Sequence, residues 1–176
     1  MQSHSLLVPF LALAAAAAAQ TPSPMAVPAA NPSSLPWPTD RVLTDVVGNT
    51  VWATTATWKA SFAADGDTFV PCLGGDVPSA PVRFALREVH AGSKLLHLGD
   101  AAPQLAGQRI TQDHGGVREQ FDLRQDGVEQ SFVFDALPAS GAVQLDLGVA
   151  TGLAHASDAN GHTFTDERGG VRYGNA

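Results

Sequence analysis

Residues 117 to 135 read VREQFDLRQDGVEQSFVFD, and they decide the fold because their pattern is the most regular in the chain. Apolar residues alternate with charged or polar ones on both sides of Asp126-Gly127, a dipeptide that favours tight hairpin turns. Side chains of a strand point alternately to its two faces. The stretch therefore predicts two antiparallel strands that bury one face and expose the other.

The turn also predicts which residues pair. With Asp126-Gly127 as a two-residue loop, Phe121 lies opposite Phe132 on the apolar face. A slip of one residue would expose the phenylalanines, so the alternation favours one register. On the polar face, two pairs of opposite charge face each other directly, each stabilising by about 0.2–1 kcal/mol: Arg124 with Glu129, and Arg118 with Asp135.

Two polar residues, Glu119 and Gln130, interrupt the apolar face of this hairpin. A buried polar group without a hydrogen-bond partner costs free energy. These two side chains are therefore expected either near the rim of the sheet or hydrogen-bonded inside it.

The same period of two continues along most of the chain after Val51. It is seen at residues 51–62 (VWATTATWKASF), 81–89 (PVRFALREV) and 141–149 (GAVQLDLGV), with turn-type clusters of Gly, Pro, Asp, Asn and Ser between the runs. No stretch has the period of an amphipathic helix. Residues 49–176 are therefore predicted to form one all-β domain, an antiparallel β-sandwich-like domain or an open barrel.

Residues 1–19 have the pattern of a signal peptide. An apolar core, LLVPFLAL, leads into a run of alanine, and Ala17-Ala18-Ala19 fits the small-residue cleavage pattern. Cleavage there would leave Gln20 at the new N-terminus and would place the protein in the periplasm, at the cell surface or outside the cell. The alternative is an uncleaved anchor, since the apolar stretch is near the lower length limit for spanning a bilayer.

Residues 20–48 form a second segment, which begins QTPSPMAVPAANPSSLPWPTD. Proline removes backbone N–H donors and biases its neighbours to extended conformations. The segment is predicted to be a semi-rigid linker or an arm laid over the domain. Trp37, between two prolines, is the residue that suggests docking of this arm.

The composition argues against a nucleic-acid partner. The chain of 176 residues has a formal net charge of −7 and ten Lys and Arg in total, whereas binding to phosphates needs clustered basic residues. A single cysteine, Cys72, excludes an intramolecular disulfide. Its surroundings predict a buried small residue, with a reactive thiol or an intermolecular bridge as alternatives. No membrane span is expected once the signal is removed.

The sequence contains no G-x-S-x-G, HExxH, P-loop, G-x-G-x-x-G or CxxC pattern, so no enzymatic activity is predicted. Two acidic loops offer the oxygen ligands that Ca²⁺ prefers, which makes Ca²⁺ the candidate cofactor. The spacing from Asp158 does not match an EF-hand, and these residue types also simply make turns. The candidate ligands are Asp65 and Asp67 in the first loop, and Asp158, Asn160 and Asp166 in the second.

Histidines and tryptophans are the remaining candidates for binding. Five histidines, at positions 90, 97, 114, 155 and 162, lie in or near predicted loops without the spacing of metal ligands. They are expected at the surface or as caps, although a zinc site assembled from distant loops is conceivable. Trp52 and Trp58 are predicted to share one face of a single strand, where they either pack in the core or form a stacking platform for a glycan.

Several short motifs carry a resemblance: Glu119-Gln120-Phe121, Gly127-Val128-Glu129-Gln130-Ser131-Phe132, the Leu137-Pro138 turn and Gly170-Val171-Arg172-Tyr173-Gly174. With them, residues 58 to 174 resemble the N-terminal β-rich regions of large secreted bacterial proteins, of planctomycete- and myxobacteria-like type, which often precede FG-GAP or similar β-propeller repeats. The resemblance implies an extracytoplasmic β-rich region and carries over no functional residue. It also implies that such a chain continues beyond VRYGNA.

Together these features predict a non-catalytic extracytoplasmic structural or interaction module, and the N-terminal part of a larger surface protein. The alternative is a carbohydrate-binding or hydrolytic module that uses Trp52 or Trp58 and the loop carboxylates. The partners of the structural or interaction module would be other protein chains or downstream domains that contact a sheet edge. If the chain is truncated, a strand at residues 171–173 would lack its partner and could recruit another strand.

Overall fold

The computed structural model describes residues 7–17, 41–74, 79–137 and 139–174, and every helix or strand within these ranges is a β-strand. The prediction of an all-β chain is therefore confirmed. Within the same ranges there is no helix long and apolar enough to cross a membrane.

The described residues contain fifteen strands, which are numbered in chain order. The first eight are β1 (Leu7–Ala17), β2 (Leu43–Val47), β3 (Thr50–Thr54), β4 (Trp58–Ala63), β5 (Gly66–Pro71), β6 (Val82–Ala91), β7 (Lys94–Leu96) and β8 (Gln104–Ala106). The other seven are β9 (Arg109–Asp113), β10 (Val117–Arg124), β11 (Gly127–Phe134), β12 (Val143–Thr151), β13 (Ala154–Asp158), β14 (Gly161–Asp166) and β15 (Gly169–Gly174).

The strands form two antiparallel sheets. The first sheet has the order β13-β14-β15-β1-β11-β10-β9-β8, and the second has the order β12-β6-β5-β4-β3-β2, with β7 also paired to β6. Neither sheet closes on itself, and side chains of the two sheets meet between them. For example, the ring centroids of Phe62 on β4 and Phe121 on β10 are 4.9 Å apart. The architecture is that of a β-sandwich-like domain, as predicted.

Two apolar clusters fill the space between the sheets. Inward side chains alternate with outward ones along each strand, which is why period-two sequences form this core. The smaller cluster is built around Val89, Val117, Phe132 and Phe134. The larger cluster includes Trp58, Phe62, Phe69 and Phe84 from the second sheet, and Ile110, Phe121, Leu123, Val128, Phe164 and Val171 from the first.

The hairpin of β10 and β11 forms where the sequence predicts it, but its turn is displaced. Arg124 pairs with Gly127, so the two turn residues are Gln125 and Asp126, and Gly127 opens β11 instead of completing the turn. The predicted Asp126-Gly127 turn is therefore wrong by one residue, and the register it implies is wrong by two. A shift of two residues leaves every side chain on its predicted face, because the period of a strand is two.

The displaced register changes neighbours across the hairpin but not the ion pairs. Phe121 lies opposite Gln130 rather than opposite Phe132. The two predicted ion pairs still form, because long arginine side chains reach diagonal partners as well as direct ones. They join Arg124 to Glu129 and Arg118 to Asp135, the latter at 2.8 Å between Nη2 and Oδ1.

The N-terminal segments enter the sheets in two places. β1 lies within residues 1–19, which the sequence predicts to be a signal peptide, and that prediction stays a prediction. β2 lies within the predicted Pro-rich arm, and the buried Val42 just before it belongs to the larger cluster. Residues 18–40, including Trp37, lie outside the described residues.

Cys72 is exposed, so the prediction of a buried small residue is wrong. Pro71, the last residue of β5, is fully buried and points inward. The next residue along an extended chain points the other way. Cys72 therefore faces solvent.

Candidate functional site

Five polar side chains lie at the inward side of the sandwich, and together we name them the polar layer: Asp67, Gln112, His114, Glu119 and Gln130. Each is at most 8 % exposed. Strands β5, β9, β10 and β11 supply four of them, and His114 follows β9 directly.

The polar layer separates the two apolar clusters. Along β10, Val117 belongs to the smaller cluster, and Phe121 belongs to the larger one. Glu119, the inward residue between them, is polar and 2 % exposed. The core of the sandwich is thus interrupted by a band of hydrogen-bonding groups.

Glu119 is the centre of the layer. One of its carboxylate oxygens accepts a hydrogen bond from Nε2 of Gln130, and the other lies 3.2 Å from Nε2 of His114. The chain extends at both ends: Tyr173 donates its hydroxyl to Oε1 of Gln130 at 2.9 Å, and Nδ1 of His114 lies 3.2 Å from the carbonyl oxygen of Gly99. The nitrogen and the oxygen of the Gln130 amide and both imidazole nitrogens of His114 therefore have partners, as buried polar groups require.

Asp67 enters the layer from the opposite sheet. Nε2 of Gln112 donates to Oδ1 of Asp67 at 3.3 Å and to the carbonyl oxygen of Ala63 at 3.0 Å. Gln112 on β9 and Asp67 on β5 belong to different sheets, so this amide links the two sheets through the core.

Two groups of the layer have raised pKa values. Burial raises the pKa of Asp67 well above its usual range, the negative charge of Glu119 raises it further, and the hydrogen bond from Gln112 opposes both effects. The hydrogen bond to Glu119 raises the pKa of His114, while burial opposes the rise. Asp67 therefore favours its neutral form and His114 its protonated form.

Two small cavities touch the layer. One of about 50 Å³ is lined by Asp67, Gln112, His114 and Glu119, among others. The other, of about 40 Å³, is lined mainly by apolar residues of the larger cluster, with Asp67 and Gln130 at its side. A buried water needs on the order of 10–15 Å³ of such space, so these cavities suit a few waters, whereas pockets for small ligands measure about 300–1,000 Å³.

The raised pKa values predict that the protein is more stable in acid than in mild alkali. A group whose pKa is higher in the folded state stabilises fully below its unfolded pKa, and this contribution is lost as the pH rises through the folded value. The loss begins above about pH 4 for Asp67 and above about pH 6.5 for His114. Urea unfolding at pH 5 and pH 9 should give the larger free energy of unfolding at pH 5.

Asp67→Asn tests the share of Asp67 in this pH dependence. Asparagine keeps the oxygen that accepts from Gln112 but carries no charge, so the variant should gain on the order of 1–3 kcal/mol at pH 8 and little at pH 4. Asp65→Asn is the matched control, because Asp65 is exposed and its ion pair with Arg83 is of the surface type. A loss of stability in Asp67→Asn at pH 8 would contradict the assignment.

The structure separates the two predicted tryptophans. The run 51–62 is not one strand but β3 and β4, and Trp52 pairs with Ser61 across them. Trp58 is fully buried, and its Nε1 donates to the carbonyl oxygen of Gln125 at 3.1 Å. Trp52 is half-buried on the outer face, with Nζ of Lys59 4.5 Å from its ring centroid. The prediction that both rings share one face is wrong.

The predicted Ca²⁺ ligands are not assembled into one site. Asp65 forms an ion pair with Arg83 at 2.7 Å, whereas Asp67 points into the core. Asp158 accepts the backbone N–H of Asn160 at 2.7 Å, and Asp166 accepts that of Arg168 at 2.8 Å. These are the turn interactions that such residues commonly make. Among the residues described, no group of three or more His, Cys, Asp and Glu side chains is placed to hold a metal ion.

The histidines differ from the prediction at His114, and two exposed histidines make a contact that the sequence does not reveal. His114 is buried in the polar layer, so the expectation of a surface or capping histidine is wrong there. His155 and His162 come together across the β13–β14 hairpin, with Nε2 of the first 3.0 Å from Nδ1 of the second. Their spacing in sequence hides this contact, because residues on opposite strands of a hairpin meet at separations that depend on the turn.

Part of the polar layer is visible in the sequence. Glu119 and Gln130 stand out as polar residues on an apolar face, and the second alternative for them, hydrogen bonding inside the sheet, is confirmed. Gln112 gives the same signal, since it follows Ile110 by two residues in RITQD. Asp67 and His114 lie beside turn residues and give no such signal.

No family model matches this chain, and no curated protein or solved structure was found to be similar to it.

Proposed function

We propose that the chain is a non-catalytic extracytoplasmic module with a structural or interaction role. The observation that carries this proposal is the state of the polar layer. Its carboxylates and its imidazole are the kinds of groups that perform acid–base chemistry. Here they are buried and bonded to one another and to neighbouring groups, and the cavities beside them have space for water rather than for a substrate.

The extracytoplasmic part of the proposal rests on residues 1–19, whose apolar core and alanine-rich end match an export signal. The resemblance of residues 58 to 174 to regions of large secreted bacterial proteins agrees with this setting, and we propose that the module belongs to such a surface protein. The interaction part rests on the sheet edges, which are β13 and β8 in the first sheet and β12 and β2 in the second, because a strand with one unpaired side can accept another chain. The expectation of an unpaired strand near residues 171–173 is wrong, since these residues belong to β15, which pairs with both β14 and β1.

A ligand screen tests the proposed function against the carbohydrate-binding and metal-binding alternatives. The exported protein is melted with and without Ca²⁺ and with a panel of polysaccharides. A ligand that binds the folded state raises the melting temperature, so we expect shifts of less than about 1 °C for all of them. A shift of several degrees with a polysaccharide, abolished by Trp52→Ala, would instead favour the carbohydrate-binding alternative. A shift with Ca²⁺, abolished by Asp158→Asn, would favour a metal-binding module.

The mass of the exported protein tests the location. The chain is expressed in a bacterial host that has a general secretion system, and the periplasmic and cytoplasmic fractions are compared. We expect a periplasmic product that begins at Gln20. A chain confined to the cytoplasm would contradict the proposed function.

A further inference from the structure

β1 lies between β11 and β15, inside the first sheet. It is antiparallel to both neighbours and pairs from Leu7 to Ala14 with residues 127–133 of β11, and from Ala12 to Ala17 with residues 169–174 of β15. An interior strand uses backbone groups on both of its sides. β1 therefore holds together the two halves of an eight-stranded sheet.

Export of the protein would remove the residues of β1. Cleavage after Ala19 takes away the whole of β1 and leaves β11 and β15 each with one unpaired side. Unpaired backbone groups within a sheet are costly and act as a template for another strand. From this conflict we propose that the mature protein has a strand-acceptor slot between β11 and β15, and that an extended segment of another polypeptide chain fills it. This inference rests on the proposed export of the protein.

The inner side of the slot favours an apolar strand. Val128 on β11 and Val171 on β15, which flank the slot, are both buried in the larger cluster. The hydroxyl of Tyr173 on β15 also reaches Gln130 on β11 at 2.9 Å, so a side-chain contact spans the slot. At this contact β1 places Leu11 opposite Gln130 and Leu13 opposite Tyr173, so the register positions next to it are apolar. β1 itself, LVPFLALAAAA, shows the matching composition of leucine and alanine.

The Pro-rich arm of the same chain is a poor occupant. Between Pro22 and Pro38, no more than three residues separate successive prolines. Where a strand has neighbours on both sides, its N–H groups bond alternately to one and to the other, and each proline removes one donor. β1 itself contains a single proline, Pro9, which lies outside the stretch that pairs on both sides. The occupant is therefore an apolar segment of a second polypeptide, without closely spaced prolines and antiparallel to β11 and β15.

A peptide titration tests the slot. The exported protein that begins at Gln20 is mixed with a synthetic peptide of residues 7–17, extended by lysines for solubility. We expect the melting temperature to rise with the logarithm of peptide concentration, by about 5–10 °C at a hundredfold excess over the dissociation constant. Folding that occurs only in the presence of the peptide gives the same support.

Two controls localise the effect. A peptide with Leu11→Pro and Leu13→Pro lacks two N–H donors and should give no shift. Hydrogen exchange should show that the unaltered peptide protects the amides of β11 and β15 and leaves those of β13, on the sheet edge, unchanged.

Two results would overturn the slot. In the first, the chain from Gln20 melts at the same temperature with and without the peptide, and its β11 and β15 amides are already protected. The sheet has then closed without β1, although the proposed function stands. In the second, the exported chain keeps residues 1–19, so β1 is a permanent strand. Retention in the cytoplasm, by contrast, refutes the proposed function itself and is read from the fractions before any peptide is added.

Discussion

Trp58→Ala is expected to lower the free energy of unfolding by about 3–5 kcal/mol, the range for removing a buried aromatic side chain. Trp58 is 0 % exposed and packs on Phe69, with ring centroids 5.5 Å apart. Its Nε1 also satisfies the carbonyl oxygen of Gln125 in the turn of the β10–β11 hairpin. The substitution thus leaves both a cavity and a carbonyl without its donor. Urea unfolding gives the difference directly.

Trp52→Ala is the matched control. Its ring lies half-buried on the outer face, with the ammonium group of Lys59 4.5 Å from the ring centroid. A cation–π contact at an exposed site contributes about 0.5–1 kcal/mol, so the cost should be on the order of 1 kcal/mol. Equal costs for the two variants would contradict the assignment of the two rings to opposite faces.

The reason why the sequence misplaces these two rings is a turn without the usual turn residues. Thr55, Ala56 and Thr57 read as strand because threonine is β-branched. In the structure, Oγ1 of Thr55 accepts the N–H of Thr57 at 3.2 Å and that of Trp58 at 3.1 Å, which closes the turn. Threonine makes such turns more weakly than Asn, Asp or Gly, so the composition gives little warning. The turn puts Trp52 and Trp58 on different strands and different faces.

Where the alternation is unbroken, the sequence predicts faces well. The inward face of β10 and β11 agrees residue by residue, including its two polar members. The outer face keeps its ion pairs. Contacts that depend on which strands become neighbours were not predictable, because a single sequence carries no information on strand order. Asp67 and Gln112, which meet across the two sheets, belong to this second kind.

The sequence predicts the register of the hairpin only in part. Alternation excludes a slip of one residue but not of two, since a two-residue slip preserves both faces. The ion pairs do not distinguish the two registers either, because Arg124 reaches Glu129 in the observed register and would face it directly in the predicted one. The polar layer does distinguish the two registers. In the observed pairing, Glu119 lies opposite Phe132, so that Gln130 is a diagonal neighbour within reach.

In the predicted register, Glu119 would lie opposite Phe134, four residues from Gln130. At about 3.3 Å per residue, this separation along the strand is too long for their hydrogen bond. Glu119 would then be buried without the amide that now binds it, at a cost of at least about 1–3 kcal/mol. We infer that the buried carboxylate selects one register from two that the apolar pattern treats as equal.

Glu119→Ala is therefore expected to be the second most damaging substitution, with a loss of about 3 kcal/mol or more. It removes the acceptor of both Gln130 and His114 in the core, and it leaves a protonated His114 without its counter-charge. Urea unfolding at pH 6 measures the loss. Glu129→Ala is the control on the outer face of the neighbouring strand, where the ion pair with Arg124 is exposed on the arginine side and should contribute less than about 1 kcal/mol.

Two further variants separate the charge of Glu119 from its role in the register. Glu119→Gln keeps the shape and an acceptor, so the fold should persist while the pKa of His114, followed by NMR, falls towards its ordinary value. Glu119→Leu combined with Gln130→Leu removes the hydrogen bond but not the apolar pattern. If the polar layer selects the register, this double variant should show cross-strand NOEs from Phe121 to Phe132 as well as to residue 130. A single set of NOEs to residue 130 would mean that the turn at Gln125-Asp126, rather than the buried carboxylate, holds the strands in register.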